Sequence, residues 1–141
     1  MYMRDFGLEL FGNALLANPQ YLKDNPEVVR KFVRASIKGF MDVGANPADA
    51  VASVLKRNPV TTEAAEKMRL GLFMNDNFLT SEVKAQGVGY VDPARLTRSI
   101  TQIGESFKFT NVPKIDDIYT DAFLPPKAER MVPAAIAAKK F

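Results

Sequence analysis

The residues best suited to binding chemistry lie within the first thirteen positions of the chain. They combine aromatic rings with hydrogen-bonding side chains: Tyr2, Asp5, Phe6, Glu9, Phe11 and Asn13. Rings supply apolar contact area and polar groups fix orientation, which is the combination that lines clefts for small ligands. The alternative, on the residues alone, is that Phe6 and Phe11 belong to an ordinary core and that the acids face solvent.

Composition removes most catalytic chemistry. The 141 residues include no Cys and no His. Thiol nucleophiles, thiolate or imidazole zinc sites, and triads that pass a proton through an imidazole are therefore excluded. The carboxylates of Asp116, Asp117 and Asp121 lack the ligand spacing and the turn glycine of a calcium loop. We predict no catalytic residue, no cofactor and no metal site.

Charge and hydropathy are those of an ordinary globular chain, with 19 basic residues against 16 acidic ones and a net charge of +3. Arg30, Arg34 and Lys38 share one helical face, which could meet an acidic partner or nucleic acid. A solvated face is the default for such a pattern, and no aromatic residue interleaves with it. Asp5 and Glu9 interrupt the early apolar run, so we expect no signal peptide in this chain.

The secondary structure of the N-terminal segment decides where the candidate binding residues lie. Leu8 and Leu10 alternate with other residues, and a short apolar run follows at 14–17, which together predict a strand over residues 7–17. A lone strand leaves both edges without hydrogen-bond partners. Its neighbours would then come from another chain, a second copy or a preceding part of the same protein.

Helices are predicted after this strand. Three of them begin where a capping residue precedes a proline, at Asn25-Pro26, Asn46-Pro47 and Asp92-Pro93. Proline suits the first helical position because no N–H group is needed there. The first of these helices is predicted to run to about Gly44.

Another helix is predicted to start at Thr61 or Thr62, whose hydroxyl groups can cap it, with Ala65, Met68 and Leu72 facing inward.

Weaker signals describe the remainder of the chain. Residues 80–91 predict a loop, and Pro125-Pro126 predicts a last helical piece that Pro133 interrupts. The Ala- and Lys-rich residues 134–141 are predicted to fray.

The order and spacing of these motifs resemble substrate-binding proteins of ABC importers, in the class that handles nitrate, sulfonates, taurine and thiamine-pyrimidine precursors. The similarity extends from Asp5 to about Arg130. The segments that carry it are the run from Asp5 to Asn13, Asn25-Pro26-Glu27 with its helix through Ala35, Gly39 and Phe40, Asn46-Pro47 with Ala50, and Tyr119-Thr120-Asp121 before Phe123-Leu124-Pro125.

The resemblance implies an α/β fragment that is mainly α, with about four to five helices and one N-terminal crossover strand. It would be the C-terminal part of a type II periplasmic-binding-protein fold. Within this single segment, residues 1–17 would be the hinge strand, 18–124 the helical part of lobe one and 125–141 a C-terminal helical tail. The second lobe and the secretion signal would lie outside the chain.

The resemblance also implies a function: binding of a small molecule in a cleft between lobes, without catalysis. Asp5, Phe11 and Asn13 become candidate ligand-binding residues, with Tyr2 as a weaker one. A carboxylate at Asp5 would repel a simple anion and favour an amino-bearing ligand, such as an aminosulfonate or an aminopyrimidine. The full-length protein would meet an ABC permease and would be periplasmic or lipid-anchored outside the cell.

Two other functions remain open at this point. The chain could be a truncated remnant that acts as a small helical, self-associating protein, with a homodimer formed through the unpaired strand. It could instead be a relative of thiamine-pyrimidine synthases, although these enzymes use a His and this chain contains none. Nucleic acid is not an expected partner.

Overall fold

The computed structural model of the protein describes residues 3–8 and 10–141. Their main elements are helical: a 3₁₀ turn at Met3–Phe6, then α1 (Pro19–Asp24), α2 (Pro26–Ala45), α3 (Pro47–Arg57), α4 (Glu63–Phe73), a π-helical turn at Met74–Phe78, α5 (Ser81–Gln86), α6 (Pro93–Ser106), α7 (Ile115–Ile118), α8 (Lys127–Arg130) and α9 (Ala134–Ala137). The mainly helical prediction is confirmed.

The contacts between residues divide the chain into two compact units. Unit 1 consists of Met1–Asp24 and Val91–Ala122, and therefore contains α1, α6 and α7. Unit 2 consists of Asn25–Tyr90 and Phe123–Phe141, which carry the other helices.

The three helix starts predicted at Asx-Pro pairs are confirmed. Helices α2, α3 and α6 begin at Pro26, Pro47 and Pro93. Asn25 and Asn46 occupy the capping positions but make no side-chain capping hydrogen bond. The fixed φ angle of proline and its missing N–H group therefore account for these two starts better than the asparagine side chains do.

Unit 2 has a filled core. Its buried residues are Met74, Phe78, Leu79 and Ile136. The rings of Phe40, Phe73 and Phe78 lie with their centroids 5.7 to 6.2 Å apart, within the range for favourable aromatic pairs. Gly44 faces this core at the end of α2, where an added Cβ would lie 2.6 Å from Cγ2 of Ile136. The packing at this point accepts no side chain larger than hydrogen without a shift.

The prediction that residues 134–141 fray is wrong. Ile136 is buried in the core of unit 2. Lys139 Nζ donates hydrogen bonds to the carbonyl oxygens of Gly44, at 2.9 Å, and Ala45, at 2.7 Å. These carbonyls end α2 and lack partners within the helix, so a cation there is favourable. A buried side chain and a charged cap hold a segment that its composition alone would leave loose.

The predicted inward face of the helix after Thr62 is also wrong. Thr62 does cap α4, since its hydroxyl accepts a hydrogen bond from the N–H of Ala65 at 3.3 Å. Met68 and Leu72, however, are 65% and 51% exposed, whereas Leu70 packs against the core. Helix α4 carries apolar residues on more than one side, so periodicity did not decide which side would be buried.

Two further differences concern residues 7–17 and 80–91. The described residues include no strand: 10–18 have no regular structure, and Glu9 lies outside the described residues. A strand is stable only beside a neighbour that shares its hydrogen bonds, and the described part of the chain supplies none. Within 80–91, helix α5 forms because the Thr80 hydroxyl accepts a hydrogen bond from Val83 N–H at 3.2 Å.

Candidate ligand-binding site

Unit 1 contains an apolar cavity of about 250 Å³ that is partly open to solvent. The lining comes from three segments of the unit. Its residues are Leu10 and Phe11 from the N-terminal segment, Leu96, Ser99, Ile100 and Ile103 from α6, and Phe109, Pro113 and Ile118 from the segment after it. Almost all of these side chains are apolar, so the cavity suits a group that gains from leaving water.

Phe11 is the predicted binding residue that reaches the cavity. Its side chain is half-buried, and the guanidinium carbon of Arg95 lies 4.3 Å from the centroid of its ring. This distance is well within the range of a cation–π contact. Arg95 Nη2 also donates a hydrogen bond to the carbonyl of Leu10 at 2.9 Å. One side chain therefore holds both the ring and the backbone beside it.

The N-terminal segment follows α6 in the opposite direction. The carbonyl of Gly7 accepts a hydrogen bond from Gln102 Nε2 at 3.2 Å, and that of Leu10 accepts one from Arg95. Seven helical residues and three extended residues both span about 10 Å, so the two contacts fit an extended backbone. Side chains of α6 thus supply donors that a neighbouring strand would otherwise supply.

The two ends of α6 fix the other walls of the cavity. At the start, Asp92 Oδ1 accepts a hydrogen bond from the N–H of Arg95 at 2.6 Å, which caps the helix one turn before the cavity. At the end, Lys108 adopts a φ angle of 53°, in the left-handed region that glycine usually occupies. The N–H of Phe109 then donates to the carbonyl of Gly104 at 2.9 Å. This turn brings Phe109 back to the lining.

Ser99 is buried but does not offer its hydroxyl to the cavity. The hydroxyl donates a hydrogen bond to the carbonyl of Arg95 at 3.0 Å, within the same helix. The lining therefore combines apolar side chains with one cation, the Arg95 guanidinium at the Phe11 ring. A ligand would be held here mainly by apolar contact and not by a set of polar groups.

The other predicted binding residues lie elsewhere. Asp5 is exposed in the 3₁₀ turn, and Asn13 is exposed in the segment without regular structure. Neither lines the cavity, and Tyr2 lies outside the described residues. The role of all four residues in ligand binding stays a prediction.

Sequence reasoning missed Arg95 and Ser99 as site residues. Leu96, Ile100 and Ile103 formed a clear apolar stripe, but such a stripe is typical of core residues and does not indicate a cavity. Arg95 is 84 positions from Phe11, so only the fold brings them together. The signal available in the sequence was the position of Arg95, a basic residue beside the apolar stripe of α6.

The basic face of α2 has partners within unit 2. Arg34 pairs with Glu129, with Nε 3.0 Å from Oε2, and Arg30 Cζ lies 5.3 Å from the centroid of the Phe123 ring. These two cations hold the C-terminal segment against α2. Across residues 3–8 and 10–141, no group of three or more acidic residues is arranged to hold a metal ion. The same residues contain no helix with the length and hydropathy needed to span a membrane.

Comparisons with known proteins support the resemblance found in the sequence. A family model described as "NMT1/THI5 like" matches residues 1–50. The chain is also 29% identical over 118 residues to the riboflavin-binding protein RibY of Chloroflexus aurantiacus, a match that covers 82% of this chain and 34% of that protein. No solved structure matches the chain.

Over residues 1–50 the chain is thus similar to the NMT1/THI5-like proteins. The resemblance to substrate-binding proteins that the sequence predicted is confirmed by these two matches. The chain spans about a third of the length of the riboflavin-binding relative. The matched residues 1–50 include Phe11, so the family similarity covers the N-terminal wall of the cavity.

Proposed function

We propose that this chain is part of the solute-binding component of an ABC importer, and that it binds a small molecule without catalysing a reaction. The observation that carries the proposal is the apolar cavity of unit 1. Phe11 lines this cavity, and the Arg95 guanidinium lies over its ring. The relationship to NMT1/THI5-like proteins and to a riboflavin-binding protein supports the same function.

The chemistry of the lining favours a planar, ring-bearing solute. A nitrate ion would leave most of a 250 Å³ cavity unfilled and would lose its hydration to apolar walls. An aromatic heterocycle can instead pack its faces against Phe11 and the apolar residues of α6. Aminopyrimidines and flavins have this shape, and the relative named above binds riboflavin.

Asp5 carries a finer part of the proposal. The residue is exposed in the turn that precedes the cavity wall, and its carboxylate would favour an amino-bearing solute over a simple anion. Closure of a second lobe over the ligand, recognition by a permease and a location outside the cytoplasm complete the proposed function of the full-length protein.

Calorimetric titration of the chain with riboflavin, a 4-aminopyrimidine, taurine and nitrate tests the proposal. We expect the two ring-bearing compounds to bind and nitrate not to bind. A compound present at about 100 times its Kd should also raise the unfolding free energy by about 2.7 kcal/mol, which a thermal shift reports.

Two leucine substitutions on α6 form the matched control. Ser99→Leu places extra volume in the cavity and should weaken binding at least about tenfold, whereas Thr97→Leu lies on the exposed side of the same helix and should leave it unchanged. Binding that survives Ser99→Leu, or no binding by either ring-bearing compound, contradicts the proposal. Unchanged preference between amino-bearing and amino-free ligands in Asp5→Asn would remove only the role of Asp5.

A further inference from the structure

The Arg95 guanidinium and the cavity of unit 1 meet different parts of the Phe11 ring. The guanidinium carbon lies over one face of the ring, 4.3 Å from its centroid. Phe11 lines the cavity, whereas Arg95 is not among the described residues that line it. A ligand in the cavity would therefore contact the other face of Phe11 or its edge.

The cation changes the charge of the part of Phe11 that such a ligand would contact. An aromatic ring is negative on its faces and positive at its edge. The guanidinium of an arginine stays protonated in proteins, and it attracts the π electrons of Phe11 toward its own side. The opposite face then becomes less negative and the edge more positive. Both changes favour the negative face of a ligand ring, so the sign of the effect is the same for either contact.

The other described residues of the lining add little charge of their own. They are aliphatic or aromatic except Ser99, whose hydroxyl donates to the carbonyl of Arg95 at 3.0 Å. Electrostatic interactions beside apolar walls are stronger than in water because the local dielectric constant is lower. Phe11 under Arg95 therefore gives the cavity its main asymmetry of charge.

The size of the cavity suits an aromatic ring. Its volume is about 250 Å³. An apolar protein cavity of roughly 150 Å³ already binds benzene. A single ring can thus enter and lie against Phe11, and the walls bind it through apolar contact.

From these observations we propose that the cavity selects electron-rich aromatic rings, and that Arg95 determines this specificity through Phe11. Rings that carry electron-donating groups, such as amino, hydroxyl or alkyl groups, would bind more tightly than electron-poor rings of the same size. Arg95 acts here as a specificity-determining residue without touching the ligand. This inference rests on the proposed function, because it requires the cavity to accept a ligand ring.

Benzene and hexafluorobenzene test the proposal, because they have similar shapes and opposite distributions of charge between face and edge. Calorimetric titration of the full chain gives the Kd of each probe. We expect the ratio of the hexafluorobenzene Kd to the benzene Kd to be about threefold larger in the parent chain than in Arg95→Met, within the contribution of aromatic pair geometry. The ratio removes the effect of the different sizes of the probes, since both chains share the same lining.

A matched variant separates the charge of Arg95 from its role in holding the N-terminal segment. Gln102→Met removes the hydrogen bond to the carbonyl of Gly7, which is 3.2 Å long, and leaves the cation over Phe11. This variant should weaken both probes alike and keep the parent ratio. Arg95→Lys retains a positive charge and should keep part of the difference. Ser99→Leu fills the cavity and should weaken both probes.

The possible failures are distinguishable. An equal ratio in the parent chain and in Arg95→Met, with both probes bound, would overturn the specificity and leave the proposed function standing. A ratio that changes as much in Gln102→Met as in Arg95→Met would assign the effect to the position of the segment, and would overturn the role of the charge. A parent chain that binds neither probe would contradict the proposed function itself, and this inference with it.

Discussion

The two units use their apolar residues differently. Unit 2 closes around Met74, which is fully buried, and packs three phenylalanine rings beside it. Unit 1 arranges its apolar residues around a cavity of about 250 Å³ instead. An unfilled apolar space loses dispersion contacts that a filled core retains. The contrast indicates that unit 2 provides most of the stability, while unit 1 leaves an apolar space unfilled.

Polar contacts show the same division. In unit 2, Lys139 and Arg34 fix chain segments to α2 through hydrogen bonds and an ion pair. In unit 1, the Arg95 and Gln102 side chains donate hydrogen bonds to backbone carbonyls of the N-terminal segment. Segments without regular structure open at a lower free energy than packed helices do. Because residues 10–18 have no regular structure, we expect the wall that carries Phe11 to open more easily than the helices of unit 2.

The largest expected effect is in the core of unit 2. Met74→Ala removes a fully buried side chain and should lower the unfolding free energy by about 2–5 kcal/mol, through lost burial and a new cavity. Urea denaturation followed by circular dichroism measures this loss. The matched control is Met68→Ala, in which a methionine that is 65% exposed on α4 is removed. The control should change stability by less than about 0.5 kcal/mol. Equal losses in both variants would contradict the assignment of the core.

Much of the helical architecture was predictable because its signals are local. Pro26, Pro47 and Pro93 mark helix starts through their own backbone geometry, and Thr62 acts within one turn. Which side of helix α4 is buried depends on tertiary contacts and not on local signals. Met68 and Leu72 have the spacing of a core-facing pair, yet they are exposed, and Leu70 and Phe73 pack against the core instead.

The site was predictable only in part, for a related physical reason. Phe11 could be selected because an aromatic residue among polar ones favours a binding surface. The strand predicted to carry Phe11 would need a neighbouring strand as hydrogen-bond partner. In the structure, side chains of α6 donate hydrogen bonds to this segment instead. Contacts between residues 84 positions apart depend on tertiary packing and leave no periodic trace in the sequence.

A smaller effect is expected in unit 1. Arg95→Met keeps the length of the side chain but removes the hydrogen bond to Leu10 and the cation over Phe11, so we expect a loss of about 1 kcal/mol. The N-terminal segment should open more often, and chymotrypsin should cleave after Phe11 faster. Thr97→Leu, which alters the exposed side of α6, should leave the cleavage rate unchanged. Equal cleavage of the Arg95→Met and parent chains would show that Arg95 does not hold this segment.

The smallest expected effect concerns an exposed ion pair on α4 and depends on pH. The hydrogen bond from Lys67, with Nζ 2.6 Å from Oε1, and the charge of that lysine lower the pKa of Glu63 below its ordinary value of 4.5. A carboxyl group whose pKa is lower in the folded state stabilises the fold above its unfolded pKa, and this stabilisation is lost as pH falls through the folded pKa. Lys67→Met should therefore be slightly less stable than the parent chain at pH 7. The difference should decrease as pH falls below 4.5 and vanish below the lowered pKa of Glu63 in the folded state. Urea midpoints across this range, with Lys56→Met as a control for loss of an exposed lysine, measure the difference, and salt at about 1 M should reduce it. A difference that persists at low pH would mean that Lys67 acts through packing of its stem and not through the carboxylate.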